Sequence, residues 1–335
     1  MLNNKILVLI DHRAGTNNQS IALAKEIGLE YEILKIKHGI LSKLPNNFLT
    51  KSLFRLSIKS KKDLLNKIKK DGYPRIIISG GRRLAIISQI IKKKSNSKSR
   101  IIQIMKPQLP LNNFDIVILP YHDNLRNRKN KKIIFSIGSL NSINRQSLAK
   151  EKERFANIFG KIKKNKIGLL IGGKSRNYKF NKQEAIILAE KLAKIAKKEN
   201  AKILVVNSRR TETKINNIFK NLNCDHQFFD WKDYKNENTN PYKAILAYSD
   251  KLIVSADSIS MISECCSTEK PTYVFNCDQL PSKKHQRFLQ YMLRNRFIKK
   301  LNINKNLLRT FEVNKLQETK RIASIIKSNY LGKIL

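Results

Sequence analysis

Short apolar runs alternate along the chain with longer segments whose apolar residues recur at helical spacing. The runs cover residues 5–10, 31–36, 75–79, 100–105, 115–119 and 132–136, then 166–171, 202–206, 226–229, 251–254 and 272–275. Most are rich in Ile and Val and do not alternate with polar residues, as expected of strands covered on both faces. Helical patterns fill several intervals, at 19–27, 84–91, 182–198, 211–219 and 259–267. Alternation of this kind predicts doubly wound parallel sheets, an α/β chain of Rossmann-like units.

The pattern breaks once. Residues 148–164 read as a charged helical connector without a core of its own, and a fresh strand follows. The expected organisation is therefore an amino-terminal domain over 1–150 and a carboxy-terminal domain over 151–335. The last helical segment, 316–326, is expected to pack back on the first domain. A chain of 335 residues can give each domain its own core.

Charge adds a further consideration. The chain carries 68 Lys+Arg against 25 Asp+Glu, a formal +43. Two readings stand: an anionic partner, such as a phosphorylated substrate or a phospholipid surface, or a compositional bias that also makes Asn and Ile abundant. The charge is spread over the chain, and aromatics are not interleaved with the Lys runs, which argues against nucleic acid. Cys224, Cys265, Cys266 and Cys277 form no CxxC pair, so no metal site is expected and the thiols read as reduced. The apolar run at 6–10 is stopped by Asp11, His12 and Arg13, and nothing approaches a membrane span of about 20 residues. The expected location is cytoplasmic, with peripheral contact at the inner membrane face left open through charge.

In open α/β sheets ligands bind at the carboxyl ends of strands, and the polar, Gly-rich clusters of this chain fall there. After the first strand comes Asp11-His12-Arg13-Ala14-Gly15, with Asn17, Asn18 and Gln19. Gly15 permits a tight turn, and Asn17 or Asn18 can cap the next helix, whose positive end favours anions. Asp11 and His12 are candidate general bases and Arg13 a candidate anion clamp. The plainer reading makes Asp11 a turn cap and His12 a surface residue. In Ser79-Gly80-Gly81-Arg82-Arg83, the glycines allow close approach of a ligand and the arginines can hold phosphate or carboxylate, unless they are simply solvated.

Three clusters lie in the second half. The amides of Gly172-Gly173-Lys174-Ser175-Arg176 can cradle a phosphate, although the spacing is not that of a Walker A loop, and a plain strand-to-loop turn explains it equally. In Ser208-Arg209-Arg210-Thr211, Thr211 can cap a helix while the arginines meet a ligand, and solvated arginines beside a cap explain the motif equally. Asp257, Ser258 and Ser260 crowd a helix start that suits a pyrophosphate, and Glu264 one to two turns on can accept from a ribose diol. A local capping box is the alternative. Asn240-Pro241-Tyr242 opens the preceding helix, and His285 reads as a surface or capping residue. No GxGxxG follows the first strand, which argues against a dinucleotide-type epimerase.

Taken in order, these motifs, with Ile171-Gly172-Gly173 and Ser260-Met261-Ile262-Ser263-Glu264, resemble the plant mitochondrial-fission "elongated mitochondria" family and its bacterial relatives. The likeness runs from residue 5 to about residue 290. The resemblance implies a glycosyltransferase-B-like architecture of two Rossmann-like domains facing a cleft. It implies that Gly172, Gly173, Ser175, Ser258, Ser260 and Glu264 hold a nucleotide-sugar, and that the first-strand loop faces an acceptor. On that reading Asp11 deprotonates a cell-envelope acceptor, with His12 the weaker choice. Arg209 and Arg210 offset the leaving diphosphate, and no cofactor is needed because the nucleotide-sugar is the substrate. The plant members are linked to recruiting a dynamin-type fission protein, so a non-catalytic adaptor of a membrane-remodelling or envelope protein is the second expectation; no protein partner is identified.

Overall fold

The computed structural model describes residues 2–39, 53, 56–123, 130–174, 178, 180–234, 236, 238–278, 282–302 and 304–331. The chain divides into two compact units, Met1–Ser142 with Glu318–Leu335, and Ile143–Gln317. Sequence had put the boundary near residue 150.

In the first unit, strands β1 (Leu2–Ile10), β2 (Tyr31–Lys35), β3 (Tyr73–Gly80), β4 (Arg100–Ile104), β5 (Ile116–Pro120) and β6 (Ile133–Ser136) form one sheet in the order β2-β1-β3-β4-β5-β6. Every pairing is parallel. The unbroken apolar runs have their physical reason here. On β1, Leu7 and Leu9 pack into one core with Leu84, Ile87 and Ile91 of α3 (Gly81–Lys94) and Leu64 of α2 (Ile58–Asp71). The alternate residues Ile6 and Val8 pack into a second core with Leu23 and Ile27 of α1 (Ala14–Ile27). Ile322 and Ile326 of the final helix, Glu318–Ile326, join that second core. This helix is tied to the end of β6: Ile137 N–H donates to Glu318 Oε2 at 2.7 Å, and Asn141 N–H to Thr319 Oγ1 at 2.9 Å.

In the second unit, β7 (Asn165–Leu170), β8 (Ala201–Val206), β9 (His226–Phe229), β10 (Lys251–Ser255), β11 (Thr272–Phe275) and β12 (Lys299–Lys300) pair in parallel in the order β12-β11-β10-β7-β8-β9. One face carries Leu188, Leu192 and Ile195 of α5 (Lys182–Glu199) and Ile215 and Phe219 of α6 (Thr213–Lys220) against Ile167 and Leu169. The other receives α7 (Tyr242–Tyr248), where a Cβ on Gly168 would lie 3.2 Å from Ile245 and 2.6 Å from Ser249 Oγ. Helices α4 (Arg145–Arg154), α8 (Ile259–Cys266) and α9 (Lys283–Arg294) complete the unit, and the helix of the first unit that closes the chain is α10. The expected connector is α4 continued by a π-helical turn over Ala156–Gly160, and the buried Phe155 and Phe159 anchor it in a core.

Among the described residues, no helix is long and apolar enough to cross a membrane.

Candidate functional site

The strand orders locate two special positions. Strand β1 is flanked by β2 and β3, and β7 by β10 and β8. At such points the connections leave in opposite directions, which opens a crevice at the carboxyl ends of the strands. The polar clusters found in the sequence collect at these two points.

In the first unit, Asp11 follows β1 with its side chain fully buried. It accepts from Arg13 N–H at 2.8 Å and from Arg13 Nη2 at 2.7 Å, and His38 Nε2 lies 3.3 Å from Oδ2. Burial pushes the Asp11 carboxyl up, but His38 and Arg13 outweigh it and hold it well below the usual carboxylate range. A carboxylate held in this way is a weak proton acceptor, so the geometry changes its expected part. Asp11 orients Arg13 and His38 rather than standing open as a base. His12 is exposed and meets His38 edge to face, the ring centroids 6.3 Å apart. Arg13 spans the switch point: Nη2 reaches the Gly80 carbonyl at 3.5 Å, and a Cβ on Gly81 would lie 2.9 Å from Arg13 Nη1. With φ +71°, Gly81 also needs the left-handed region that glycine tolerates.

Three local expectations in this unit are corrected. The helix begins at Ala14, so Gly15 lies inside α1 and forms no turn. Asn17 does not cap the helix. Its side chain braces the end of β1, accepting from Asp11 N–H at 3.1 Å and donating to the Asp11 carbonyl at 2.6 Å. Gln19 is buried and donates to the Gly15 carbonyl at 3.3 Å, so it faces its own helix rather than a ligand. Arg82 and Arg83 occupy the first turn of α3, half-buried, and Arg82 Nη1 reaches Gln108 Oε1 at 3.4 Å.

The second switch point is held by Asp257, whose side chain is fully buried. Asp257 Oδ2 accepts from Gly173 N–H at 3.0 Å, and Oδ1 accepts from Ser255 Oγ at 2.7 Å. Arg210 Nη2 lies 3.4 Å from Oδ2. Burial pushes the Asp257 carboxyl up, against the Ser255 hydroxyl, the Gly173 amide and the Arg210 charge. Gly172 N–H donates to Ser255 Oγ at 2.8 Å and Lys174 N–H to the Arg210 carbonyl at 3.0 Å.

The amides of Gly172, Gly173 and Lys174 are thus all consumed within the protein, which corrects their reading as a phosphate cradle. The glycines serve close approach between chain segments: a Cβ on Gly172 would lie 2.2 Å from Asp257 Oδ2, and one on Gly173 2.1 Å from the Arg210 carbonyl oxygen. The Lys174 side chain is exposed, and Ser175 lies outside the described residues.

Thr211 does not cap α6, whose preceding residue is Glu212. Its hydroxyl bonds the Gly172 carbonyl, and Ser208 Oγ donates to the same carbonyl at 3.1 Å, which fixes the loop carrying the exposed Arg209 and Arg210. Ser258 caps α8, its Oγ accepting from Met261 N–H at 3.4 Å, and Ser260 follows in the first turn. Glu264 keeps part of its surface open and accepts from the Tyr242 hydroxyl. Burial pushes the Glu264 carboxyl up, opposed by Tyr242 and Lys243.

Two histidines were missed as site residues. His38 meets Asp11, and His285, in the first turn of α9, lies against the Asp257 main chain and in the field of Arg210. Each is a lone histidine whose partner is remote in sequence, so no local motif marks it. Among the described residues, no three His, Cys, Asp or Glu side chains converge as a metal site. A groove of about 850 Å³ lined by Ala189, Ala193, Ile218 and Leu222 lies at the opposite, amino-terminal end of the second sheet, away from these clusters.

The family model described as Mitochondrial fission ELM1 matches residues 14–330. An uncharacterized protein, RP120, of Rickettsia prowazekii (strain Madrid E) is 30% identical, over 96% of this chain and 97% of its own. The mitochondrial fission protein ELM1 of Arabidopsis thaliana is 29% identical, over 62% of this chain and 53% of its own. Among solved structures, the chain resembles the UDP-GlcNAc 2-epimerase of Neisseria meningitidis bound to UDP-GlcNAc, with TM-score 0.54, 12% identity and coverage of 98% of this chain and 93% of that one. It also resembles MurG of Acinetobacter baumannii, with TM-score 0.51, 9% identity and coverage of 96% and 99%. At these identities the likeness establishes the fold, two Rossmann-like units of the glycosyltransferase-B type.

Proposed function

The chain belongs to the mitochondrial fission ELM1 family, and from that premise we propose that its second unit binds a nucleotide-sugar through the diphosphate, at the start of α8. The observation that carries this reading is the convergence of Asp257, the exposed Arg210 and the Ser258-capped start of α8 at the β7–β10 switch point. With the Gly172-Gly173-Lys174 amides engaged internally, the diphosphate falls to the start of α8, where Met261 N–H already meets Ser258 Oγ, and to Arg210; the helix end and the guanidinium together offset negative charge. Glu264 is one to two helical turns on, and its carboxylate can accept from ribose hydroxyls in place of, or beside, the Tyr242 hydroxyl. The fold relatives support the reading, since one of them is a protein bound to UDP-GlcNAc.

The reaction we infer is glycosyl transfer. The bond from the anomeric carbon to the diphosphate oxygen breaks, the diphosphate leaves with the electron pair, and an acceptor oxygen forms the new bond. Arg210 and the α8 amides stabilise the charge developing on the leaving diphosphate. The acceptor gives up its proton to water; in the first unit, separately, Arg13 oriented by Asp11 is read as an anion clamp.

A thermal-shift panel of nucleoside diphosphates and their sugars tests the binding step, because a ligand specific to the folded state raises the melting temperature. One nucleotide-sugar should give a selective shift that Glu264→Ala reduces. If no member of the panel shifts the protein, the binding reading fails and the adaptor reading replaces it.

A further inference from the structure

His285 is a basic group that the nucleotide-sugar reading leaves without a role. It sits in the first turn of α9, beside the loop from β10 to α8. Its Nδ1 atom is buried and finds no hydrogen-bond partner among the described residues. The ring otherwise faces the Asp257 main chain, and the charged groups acting on it are Lys284 of its own helix, Asp257 of the β10–α8 loop and Arg210 of the β8–α6 loop. A buried polar atom left unsatisfied costs roughly 1–3 kcal/mol, so an orphan of this kind marks a place where something else is to bond. The neighbouring groups say what. The ring lies against the Asp257 main chain and in the field of Arg210, surroundings suited to an anion, and its unpartnered nitrogen can bond an oxyanion once it is protonated.

Building on the nucleotide-sugar reading, we propose that His285 bonds the ligand diphosphate through Nδ1, and that diphosphate binding at the start of α8 is coupled to uptake of a proton by His285. Without ligand, burial and the nearby Lys284 hold His285 below the usual histidine range despite the opposing Asp257 main chain and carboxylate, so the ring is neutral at neutral pH. A diphosphate beside it reverses the balance, since an adjacent anion favours the charged form. Affinity then falls as pH rises through the window between the unliganded and liganded values of the same group.

The test is calorimetric titration of the full chain and of His285→Gln with uridine diphosphate and with inorganic pyrophosphate, in two buffers of different ionisation enthalpy. Ionisation of the ligand phosphate at about pH 6 gives both proteins a common background. Over and above that background, the wild type should take up an additional fraction of a proton and lose about tenfold more affinity than His285→Gln between about pH 6 and about pH 8. A wild-type response without proton uptake, or an unchanged uptake in His285→Gln, overturns the proposal. Proton-coupled binding of pyrophosphate without binding of uridine diphosphate keeps His285 in its role and overturns the uridine form of the nucleotide reading. Binding of neither probe overturns both. Because Gln could perturb the start of α9, the wild-type His285 Cε1–H resonance is followed through the same titrations. It should move to the protonated position when ligand is added at constant pH, and a resonance that stays put overturns the proposal independently of the variant.

Discussion

Replacing Gly172 by Ala puts a methyl group 2.2 Å from Asp257 Oδ2, 2.3 Å from Oδ1 and 2.6 Å from Cγ. The neighbour is a short, fully buried carboxylate already fixed by Gly173 N–H and Ser255 Oγ, so it cannot swing aside as an exposed side chain would. Overpacking of this severity costs about 1–3 kcal/mol. Turning the carboxylate out of its donors adds about 1–3 kcal/mol for the buried groups left unpaired. Together they come to about 4 kcal/mol, which for a unit of this size lowers the melting temperature by about 8–16 °C. Gly15→Ala is the matched control. Gly15 lies in α1 with nothing within 4 Å of its added Cβ, and Ala there should be neutral or stabilising by up to about 1 kcal/mol. Thermal unfolding followed by circular dichroism, with calorimetry on the same samples, reads both. If Gly172→Ala melts within about 2 °C of wild type, the packing of the Gly-Gly turn against Asp257 has been misread.

Asp11→Asn should cost about 3 kcal/mol by urea denaturation near neutral pH, the low end for a broken buried pair because Arg13 can turn to water. The Asp11 carboxyl sits below its unfolded value, so its contribution is present above about pH 4 and lost as pH falls further. The variant should therefore show a shallower loss of stability on the acid limb than wild type. Lys270 donates from Nζ to the carbonyls of Leu246, Ala247 and Ser249 at the end of α7, and burial pulls its ammonium down to about 8. In the unfolded chain it keeps its proton to about pH 10. Unfolding therefore takes up a proton over that window, and wild type should gain stability relative to Lys270→Met as pH rises through it. A constant difference between the two proteins would contradict the burial of this charge.

Among the described residues, eleven of the twelve strands are readable as apolar runs, because a strand buried on both faces carries its signal in composition, as Ile6, Leu7, Val8 and Leu9 do on β1. The twelfth, Lys299–Lys300, consists of two exposed lysines and has no such signal. Helices α2 and α9 hide in lysine-rich stretches whose apolar stripe is narrow: Leu64 on one, and Phe288, Leu289 and Met292 on the other. The site clusters are readable as residue types at strand ends, but their roles are not. Gly172 and Gly173 look the same whether their amides meet a phosphate or a buried Asp257, and only the fold brings residue 257 to residue 173. Asn17 and Thr211 have the side chains of helix caps, yet Asn17 bonds Asp11 at the end of the preceding strand and Thr211 bonds Gly172 beyond the end of β7, a strand remote in sequence.

The binding site at the start of α8 is tested most directly by titrating UDP-GlcNAc into the wild type and into Arg210→Ala, with Arg82→Ala of the first unit as the control. Arg210 is exposed and its bond to Asp257 is long, so its removal should leave the fold intact. Loss of one charge-assisted contact to the diphosphate predicts a fall in affinity of about tenfold to a hundredfold for Arg210→Ala. Equal affinities for wild type and Arg210→Ala, or a loss confined to Arg82→Ala, would contradict a diphosphate site at the β7–β10 switch point.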